Sequence, residues 1–237
     1  MSAGLLIPGA ESPGIFGKLP WLGDFVTRRL PHSFVEPWDD WLQRGMAATR
    51  EALGEVWLDS FLTAPVWRFL LPAGSAGPAA MAGLLMPSVD RVGRYFPLTL
   101  ASPLDVDPGP EAPLLAAGWF DVLERTALAA LDDATAPEAW EAAVERLGPP
   151  PLTEEEPSPV EIGDGWWGTS LSSSDGLGAD GLGIAALRLG TAPLAAQARF
   201  WTGPAAQGWY LAGDGLPPPA AWPRAFMRAR LATEPAQ

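Results

Sequence analysis

The segment GIFGKLPWLGDFVTRRLPHSFVEPWDDW, residues 14–41, carries the strongest signals for the fold of the chain. It joins a short apolar run to a turn region rich in glycine and proline, and then to a signal for the start of a helix. Ser33 is followed three residues later by Glu36, which is the spacing of a capping box, and Pro37 lies in the predicted first turn. The segment therefore predicts a helix whose N-cap is Ser33.

The residues after this signal keep a helical period. Apolar positions recur every 3.6 residues up to Leu53 and Gly54, whereas charged positions fall mostly on the other side. A stripe of this kind faces the core in an amphipathic helix. We expect the first helix to bury an aromatic face that contains Phe34, Trp38, Trp41, Leu42, Gly45 and Thr49.

Short apolar runs and helical periods predict the elements that follow. Apolar runs that stop at a proline and lack polar alternation are typical of strands covered on both faces. Longer periodic stretches bounded by glycine or proline are typical of helices. The patterns predict a short helix at 57–62, strands at 66–71, 81–86 and 98–102, and amphipathic helices at 111–133 and 136–147.

The final third of the chain has shorter apolar runs, separated by clusters of glycine, proline and serine. Such runs predict short strands and turns. The last run keeps a helical period and carries arginines near its end, where cations favour the helix dipole. These patterns predict strands at 165–168, 184–189, 198–201 and 209–212, and a closing helix at 222–231.

Strands alternate with helices along the whole chain, so we expect an α/β sandwich around a mixed, largely antiparallel sheet. Residues 148–159 contain five prolines and a run of glutamates without an apolar period, which predicts an extended linker or loop. We expect an N-terminal α/β region at 1–147, an acidic proline-rich linker or loop at 148–164, and a C-terminal α/β region at 165–237, packed together as one globular unit.

The amino-acid composition limits the cellular compartments and the classes of partner that the protein is expected to have. The 237 residues include no cysteine, which excludes disulfides and thiolate metal sites and suits a reducing compartment. No apolar segment reaches the length of a signal-peptide core or a membrane span, so we expect a soluble cytoplasmic protein. The net charge is −13, and residues 111–164 hold 13 acids but 2 cations, which argues against nucleic acid or an anionic membrane as partner. A solvated helix face together with a disordered linker explains this block, with a basic protein partner as the alternative.

The motifs that would mark an enzyme are weak. GLGADG at 176–181 fits the spacing of a dinucleotide-binding loop, but SLSSSD precedes it instead of a strand, and 196–205 contain no acid. His32 is the only histidine and no G-x-S-x-G motif occurs, so neither a nucleophile triad nor a histidine-rich metal site is expected. We predict no catalytic, cofactor-binding or metal-binding residues.

One constellation of charged and aromatic residues is left to explain. Arg91 and Arg94 are three residues apart, so a helical turn would place both on one side, and arginine forks bind carboxylates or phosphates. One interpretation is internal ion pairing, in which Asp24 or Asp90 holds an arginine and positions the loops. The other is a docking surface for a protein partner, with aromatic anchors at 95–96. The candidate residues are Lys18, Asp24, Phe25, Arg28, Asp90, Arg91, Arg94 and Tyr95.

Two long ungapped motifs carry a family resemblance. The sequence reads F-G-K-L-P-x-x-G-D-F-V at 16–26, L-P-x-S-F at 30–34, W-D-x-W-L at 38–42 and P-S-V-D-R-V-G-R-Y-F-P-L at 87–98. These motifs resemble the TagF proteins, cytoplasmic accessory regulators of bacterial type VI secretion, over about the first 105 residues. Farther along, R-F-W-T-G at 199–203 and a G-L-P before the last helix also resemble the family, with Phe200 in place of an expected tryptophan.

The resemblance implies a three-layer α/β/α arrangement and a regulator without catalytic activity. TagF-like proteins repress type VI secretion after translation and are linked to the forkhead-associated scaffold protein of that system, opposite a kinase/phosphatase pathway. We therefore expect a protein that binds this scaffold. The alternative is a hydrolase or nucleotide-binding enzyme that uses the aspartates and arginines of the two motifs.

Overall fold

A seven-stranded sheet organises the structure, which is a computed structural model. The structure describes residues 12–105, 107–108, 112, 116–150, 160–163, 166–168, 197–202 and 210–227. The strands of these residues are β1 (Gly14–Gly17), β2 (Val26–Arg28), β3 (Trp67–Leu71), β4 (Ala80–Met86), β5 (Leu98–Leu104), β6 (Val160–Gly163), β7 (Trp166–Gly168), β8 (Ala198–Thr202) and β9 (Tyr210–Gly213).

The order of strands in the large sheet is β2-β1-β5-β4-β3-β8-β9, and β6 and β7 form a separate hairpin. Every pairing between the described strands is antiparallel, so the expectation of a mixed sheet is wrong for this part of the chain. Strand β8 pairs with β3, which joins the C-terminal part of the chain to the N-terminal strands in one sheet.

Helices complete the mixed α/β fold. The described helices are α1 (His32–Leu53), α2 (Trp57–Leu62), α3 (Ala117–Ala129), α4 (Pro137–Glu145) and α5 (Trp222–Ala225), with 3₁₀ turns at Gly54–Val56 and Pro219–Ala221. None of the helices in the described residues is long and apolar enough to cross a membrane.

Most predicted elements occur close to their predicted bounds, and the differences have local causes. Strand β5 continues through Pro103 to Leu104, although a proline was expected to end it. The pairing of β5 with β1 begins only at Ala101, opposite Gly14, and Pro103 has a paired neighbour on the β4 side alone among the described strands. A proline is tolerated in a strand where its missing amide faces no partner.

The last part of the predicted linker at 148–164 is a strand in the structure and not a loop. Strand β6 begins at Val160 and pairs with β7, so regular structure starts inside the predicted linker. Residues 151–159, the predicted strand at 184–189, the GLGADG motif at 176–181 and the end of the predicted helix at 222–231 lie outside the described residues.

The start of α1 differs from the predicted capping box. Pro31 occupies the N-cap position with an extended backbone, and its carbonyl accepts the amide of Phe34 at 3.0 Å. The helix therefore begins at His32, and Ser33 lies inside the first turn without a side-chain cap bond. The Glu36 carboxylate instead lies 3.6 Å from the imidazole of His32. Proline reaches this geometry readily because its ring fixes φ near −65°.

The earlier start places Pro37 in the second turn of α1 rather than the first. Pro37 has no amide to donate to the carbonyl of Ser33, four residues before it. Gly77, in the turn between β3 and β4, lies against that carbonyl: a Cβ on Gly77 would be 2.4 Å from the Ser33 oxygen. The backbone at Gly77 has φ +120°, which also favours glycine. The turn therefore packs against the part of α1 that proline leaves open.

The aromatic stripe of α1 is buried as predicted, and Gly54 ends the helix. Trp38 packs on Phe69 of β3 with ring centroids 4.8 Å apart, and its indole nitrogen donates to the Thr99 hydroxyl at 3.0 Å. Trp41 contacts Trp222 of α5 at 4.7 Å. Helices α1 and α5 thus share one aromatic core on one face of the sheet.

Helices α3 and α4 cover the residues of the opposite face. Successive residues of a strand point to opposite sides, so Leu70, Leu84 and Leu100 pack with Phe120 of α3, whereas Phe69 belongs to the α1 core. A strand buried on both faces has no polar alternation, which accounts for the continuous apolar run in β4 and the mainly apolar sequences of β3 and β5.

Close packing between α1 and α5 requires a glycine. A Cβ added at Gly45 would lie 2.2 Å from the ring of Trp222, whereas one added at Gly118 of α3 would meet nothing within 4 Å. Alanine normally stabilises a helix by up to about 1 kcal/mol relative to glycine. We predict that Gly118→Ala raises the free energy of unfolding, and that Gly45→Ala lowers it by about 1–3 kcal/mol because the core is overpacked.

Urea denaturation of the two variants and the wild type measures this difference. Gly118→Ala serves as the matched control, because it makes the same chemical change on another helix. Stabilisation by both substitutions would contradict the packing of Trp222 on α1.

Candidate functional site

The two sequence motifs meet at one end of the sheet. The segment after β1 and the connection between β4 and β5 lie side by side, and the amide of Arg91 donates to the carbonyl of Leu22 at 2.9 Å. Within the connection, Val89 forms an isolated antiparallel bridge with Tyr95. The structure therefore places residues from both motifs against each other.

Asp90 is at the centre of this contact. Its side chain accepts hydrogen bonds from the Lys18 ammonium at 2.6 Å and from Nε of Arg94 at 2.7 Å. The amides of Val92 and Arg94 donate to its other oxygen at 3.0 and 2.9 Å. Asp90 and Lys18 are 3% and 4% exposed, so the ion pair is buried. We call Lys18, Asp90 and Arg94 the charged clamp.

Burial alone would raise the pKa of the Asp90 carboxyl, because it disfavours the charged form. The hydrogen bonds from Lys18, from the Arg94 backbone and side chain, and from the Val92 amide act in the opposite direction and outweigh burial. They hold the pKa of Asp90 well below its usual range. Asp90 is therefore a permanent carboxylate near neutral pH and serves as an anchor for its donors.

Two glycines permit the backbone geometry around the charged clamp. Gly17, directly before Lys18, has φ +122°, and a Cβ there would lie 2.1 Å from the carbonyl oxygen of Pro97. Gly93, in the turn that carries Arg94, has φ +85° and donates its amide to the Asp90 carbonyl at 3.0 Å. Residues other than glycine rarely adopt backbone conformations with a positive φ of this kind.

Aromatic residues surround the clamp. The Lys18 ammonium lies 4.3 Å from the centre of the Phe25 ring, which in turn packs edge-on against Phe96 at 4.8 Å. Phe25 remains 45% exposed, whereas Phe96 is buried. Phe96 therefore belongs to the core and is unsuited to be an anchor for a partner, contrary to the docking interpretation of the sequence.

The connection that carries Arg91 and Arg94 makes no helical turn, so the condition under which both would lie on one side is not met. Residues 91–94 form a non-helical turn in which the Arg94 guanidinium returns to Asp90 and also donates to the carbonyl of Gly23. The Arg91 guanidinium also lies near Gly23, 3.3 Å from where a Cβ would be, but it forms no ion pair with Asp90. The two arginines thus lie near the same glycine, and only Arg94 binds the carboxylate.

The remaining candidates lie outside the charged clamp. Asp24 is exposed and accepts the amide of Phe25 at 2.8 Å. Arg28, on β2, pairs with Glu141 of α4. Tyr95 is half-buried and packs against Phe61 of α2 with ring centroids 6.0 Å apart. The structure therefore brings Lys18, Phe25, Asp90 and Arg94 together, with Asp24 beside Phe25 but not bonded to the clamp, and it directs Arg28 and Tyr95 to other partners.

The structure also buries a charged residue of β3 that belongs to neither sequence motif. Arg68, in β3, is 6% exposed and pairs with Asp121 and Glu124 of α3, each at 2.7 Å. The signal was present in the sequence, since Arg68 interrupts the apolar run WRFLL of β3. A charge in such a run must be paired when it is buried, so Arg68 fastens α3 to the sheet.

The described residues contain no group of three or more histidine, cysteine or acidic side chains that could hold a metal ion. His32 is exposed at the start of α1 beside Glu36. The fold and the site together define a mixed α/β protein in which a buried ion pair between Lys18 and Asp90 braces an exposed turn.

Comparison with known proteins gives the family. Residues 14–147 match the TagF N-terminal domain, described as type VI secretion system-associated. The crystal structure of PA0076 from Pseudomonas aeruginosa PAO1 matches with a TM-score of 0.69 and 34% sequence identity, over 95% of this chain and 99% of that chain. No curated protein sequence matches this chain. The chain belongs to the TagF family and is associated with type VI secretion.

The charged clamp predicts a pH dependence of stability. Because the pKa of Asp90 is lower in the folded state than the value of about 4 in an unfolded chain, its contribution is complete above that value. The contribution is lost as the pH falls toward the folded-state pKa, since the unfolded state then binds more protons. We predict that the free energy of unfolding falls more steeply below about pH 5 in the wild type than in Asp90→Asn.

Urea denaturation between pH 7 and pH 3 measures both slopes, and circular dichroism at pH 7 establishes that each protein is folded. Asp90→Asn is the matched variant because the amide keeps the shape of the carboxyl but does not titrate. Equal slopes in the two proteins would contradict the role of Asp90 as a charged anchor.

Proposed function

We propose that this protein is a non-enzymatic cytoplasmic regulator that represses type VI secretion after translation by binding the forkhead-associated scaffold protein of the system. The observation that carries the proposal is the match of residues 14–147 to the type VI secretion system-associated TagF N-terminal domain. The absence of cysteine from the sequence suits a reducing compartment.

The chemistry of the site supports binding over catalysis. A general base must have a free lone pair within reach of a substrate proton. Asp90 is buried, and its oxygens accept bonds from Lys18, Arg94 and two backbone amides. Its lowered pKa also makes it a weak base. The arrangement is well suited to hold a turn in place and poorly suited to transfer protons.

We also propose that the chain as a whole is a three-layer α/β/α sandwich. The two hydrophobic clusters on opposite faces of the sheet support this arrangement: one contains residues of α3 and α4, and the other contains residues of α1 and α5. A sheet with both faces covered by helices is one of the stable layer arrangements.

Repression by binding predicts a stoichiometric response. A binding regulator acts by occupancy, so secretion should fall in proportion to its copy number and reach a plateau when the scaffold is saturated. An enzyme turns over about 1–10³ times per second and could act far below the concentration of its target. We predict that repression requires copy numbers comparable to those of the scaffold.

The experiment titrates expression of the protein in cells, counts both proteins by quantitative mass spectrometry and measures a secreted substrate. Overproduction of the scaffold should restore secretion at a fixed level of the regulator. Full repression at a few per cent of the scaffold copy number would overturn the proposal and favour the alternative enzyme that uses Asp24, Asp90, Arg91 and Arg94.

A further inference from the structure

The turn at residues 91–94 exposes the side chains of Arg91 and Val92, which contribute neither to the hydrophobic clusters nor to the ion pairs of the described residues. Val92 is 65% exposed and belongs to none of the hydrophobic clusters in the described residues. Arg91 is exposed, and its guanidinium has no acid within ion-pairing distance in the part of the chain that the structure describes. A single exposed apolar residue is ordinary, but this one lies beside an arginine that makes no ion pair with those residues.

The backbone that carries these side chains is firmly held. Four hydrogen bonds from backbone amides connect the turn and Asp90: the amides of Val92 and Arg94 donate to the carboxylate, Gly93 donates to the Asp90 carbonyl, and Asp90 donates to the Arg94 carbonyl. The Arg91 amide donates to Leu22 in the neighbouring segment. A surface that is already ordered loses little conformational entropy on binding.

Phe25 extends the exposed surface on the same support. Its ring packs on the Lys18 ammonium, and Lys18 pairs with Asp90 beneath the turn. The Arg91 guanidinium lies near Gly23, two residues before Phe25. Two exposed apolar side chains and one arginine are thus held by a single charged clamp.

The local charge is opposite to that of the whole chain. Lys18, Arg91 and Arg94 contribute three positive charges and Asp24 and Asp90 two negative charges, which leaves +1 at this corner, whereas the chain carries −13. An acidic segment would therefore be repelled by the acidic block at 111–164, which carries most of the net charge, and attracted here.

We propose that Phe25, Arg91 and Val92 form the docking surface for an acidic segment of a protein partner. A carboxylate of the partner pairs with the Arg91 fork, and an apolar side chain beside it packs on Val92 and Phe25. The clamp residues Lys18, Asp90 and Arg94 position this surface and do not contact the partner through their buried atoms. The identity of the partner as the forkhead-associated scaffold rests on the proposed function.

Binding of the purified full-length chain to the purified scaffold protein tests the surface. Arg91→Glu and Val92→Asp should each weaken binding by about tenfold or more, with the melting temperature unchanged because both side chains are exposed. Wild-type affinity should fall with added salt, and Arg91→Glu should reduce that dependence. Arg146→Glu makes the same charge change at the exposed end of α4 and should bind as the wild type does.

A second readout separates the surface from the identity of the partner. If the wild type does not bind the scaffold, the proposed partner is wrong. Repression of secretion in cells, measured at matched protein levels, then tests whether Phe25, Arg91 and Val92 form a docking surface. Loss of repression by Arg91→Glu and Val92→Asp, with repression retained by Arg146→Glu, supports it. Repression by all three variants overturns it.

Two further results would also overturn the inference. The first is equal scaffold affinity for the wild type, Arg91→Glu and Val92→Asp. The second is self-association of the wild type that Val92→Asp abolishes while scaffold affinity stays constant, because the turn would then contact a second copy of the chain.

Discussion

The buried ion pair between Lys18 and Asp90 is the interaction on which the two sequence motifs depend for their contact at the end of the sheet. A carboxylate removed from water needs several donors, and Asp90 receives them from Lys18, from the Arg94 side chain and from two backbone amides. The same bonds fix the turn at 91–94 and join the two sequence motifs. Loss of the carboxylate charge would therefore loosen both motifs together.

The charged clamp lies at the ends of two neighbouring strands of the sheet, β1 and β5. Strand β1 ends at Gly17, directly before Lys18, and pairs with β5, which follows the turn. The close approach of Gly17 to Pro97 joins the two motifs at the end of the sheet where β1 ends and β5 begins. On the far side of β1, the short edge strand β2 is fastened to α4 by the pair between Arg28 and Glu141. The exposed turn is consequently supported by the sheet.

Local patterns predicted most elements, and contacts between distant residues decided what the patterns missed. The stripe of α1 follows from spacing alone, whereas its start shifted because Pro31 supplies the first carbonyl in place of a Ser33 cap. The spacing of residues along the sequence cannot reveal the order of strands in the sheet, in which β1 pairs with β5. It left Asp24 and Asp90 as equal candidates for the clamp, and burial of Asp90 against Lys18, 72 positions away, separates them.

The TagF membership and the exposed turn lead to one account, in which a rigid surface at Phe25, Arg91 and Val92 contacts an acidic segment of a secretion-system partner. Nuclear magnetic resonance shift mapping of the labelled chain, titrated with the scaffold protein, tests this account most directly. The account predicts that the largest changes occur at the Val92 methyl groups and at the amides of Phe25 and Arg91. Changes confined to the groove between α3 and α4, which Val122 and Trp140 line, with Val92 unchanged, would contradict it.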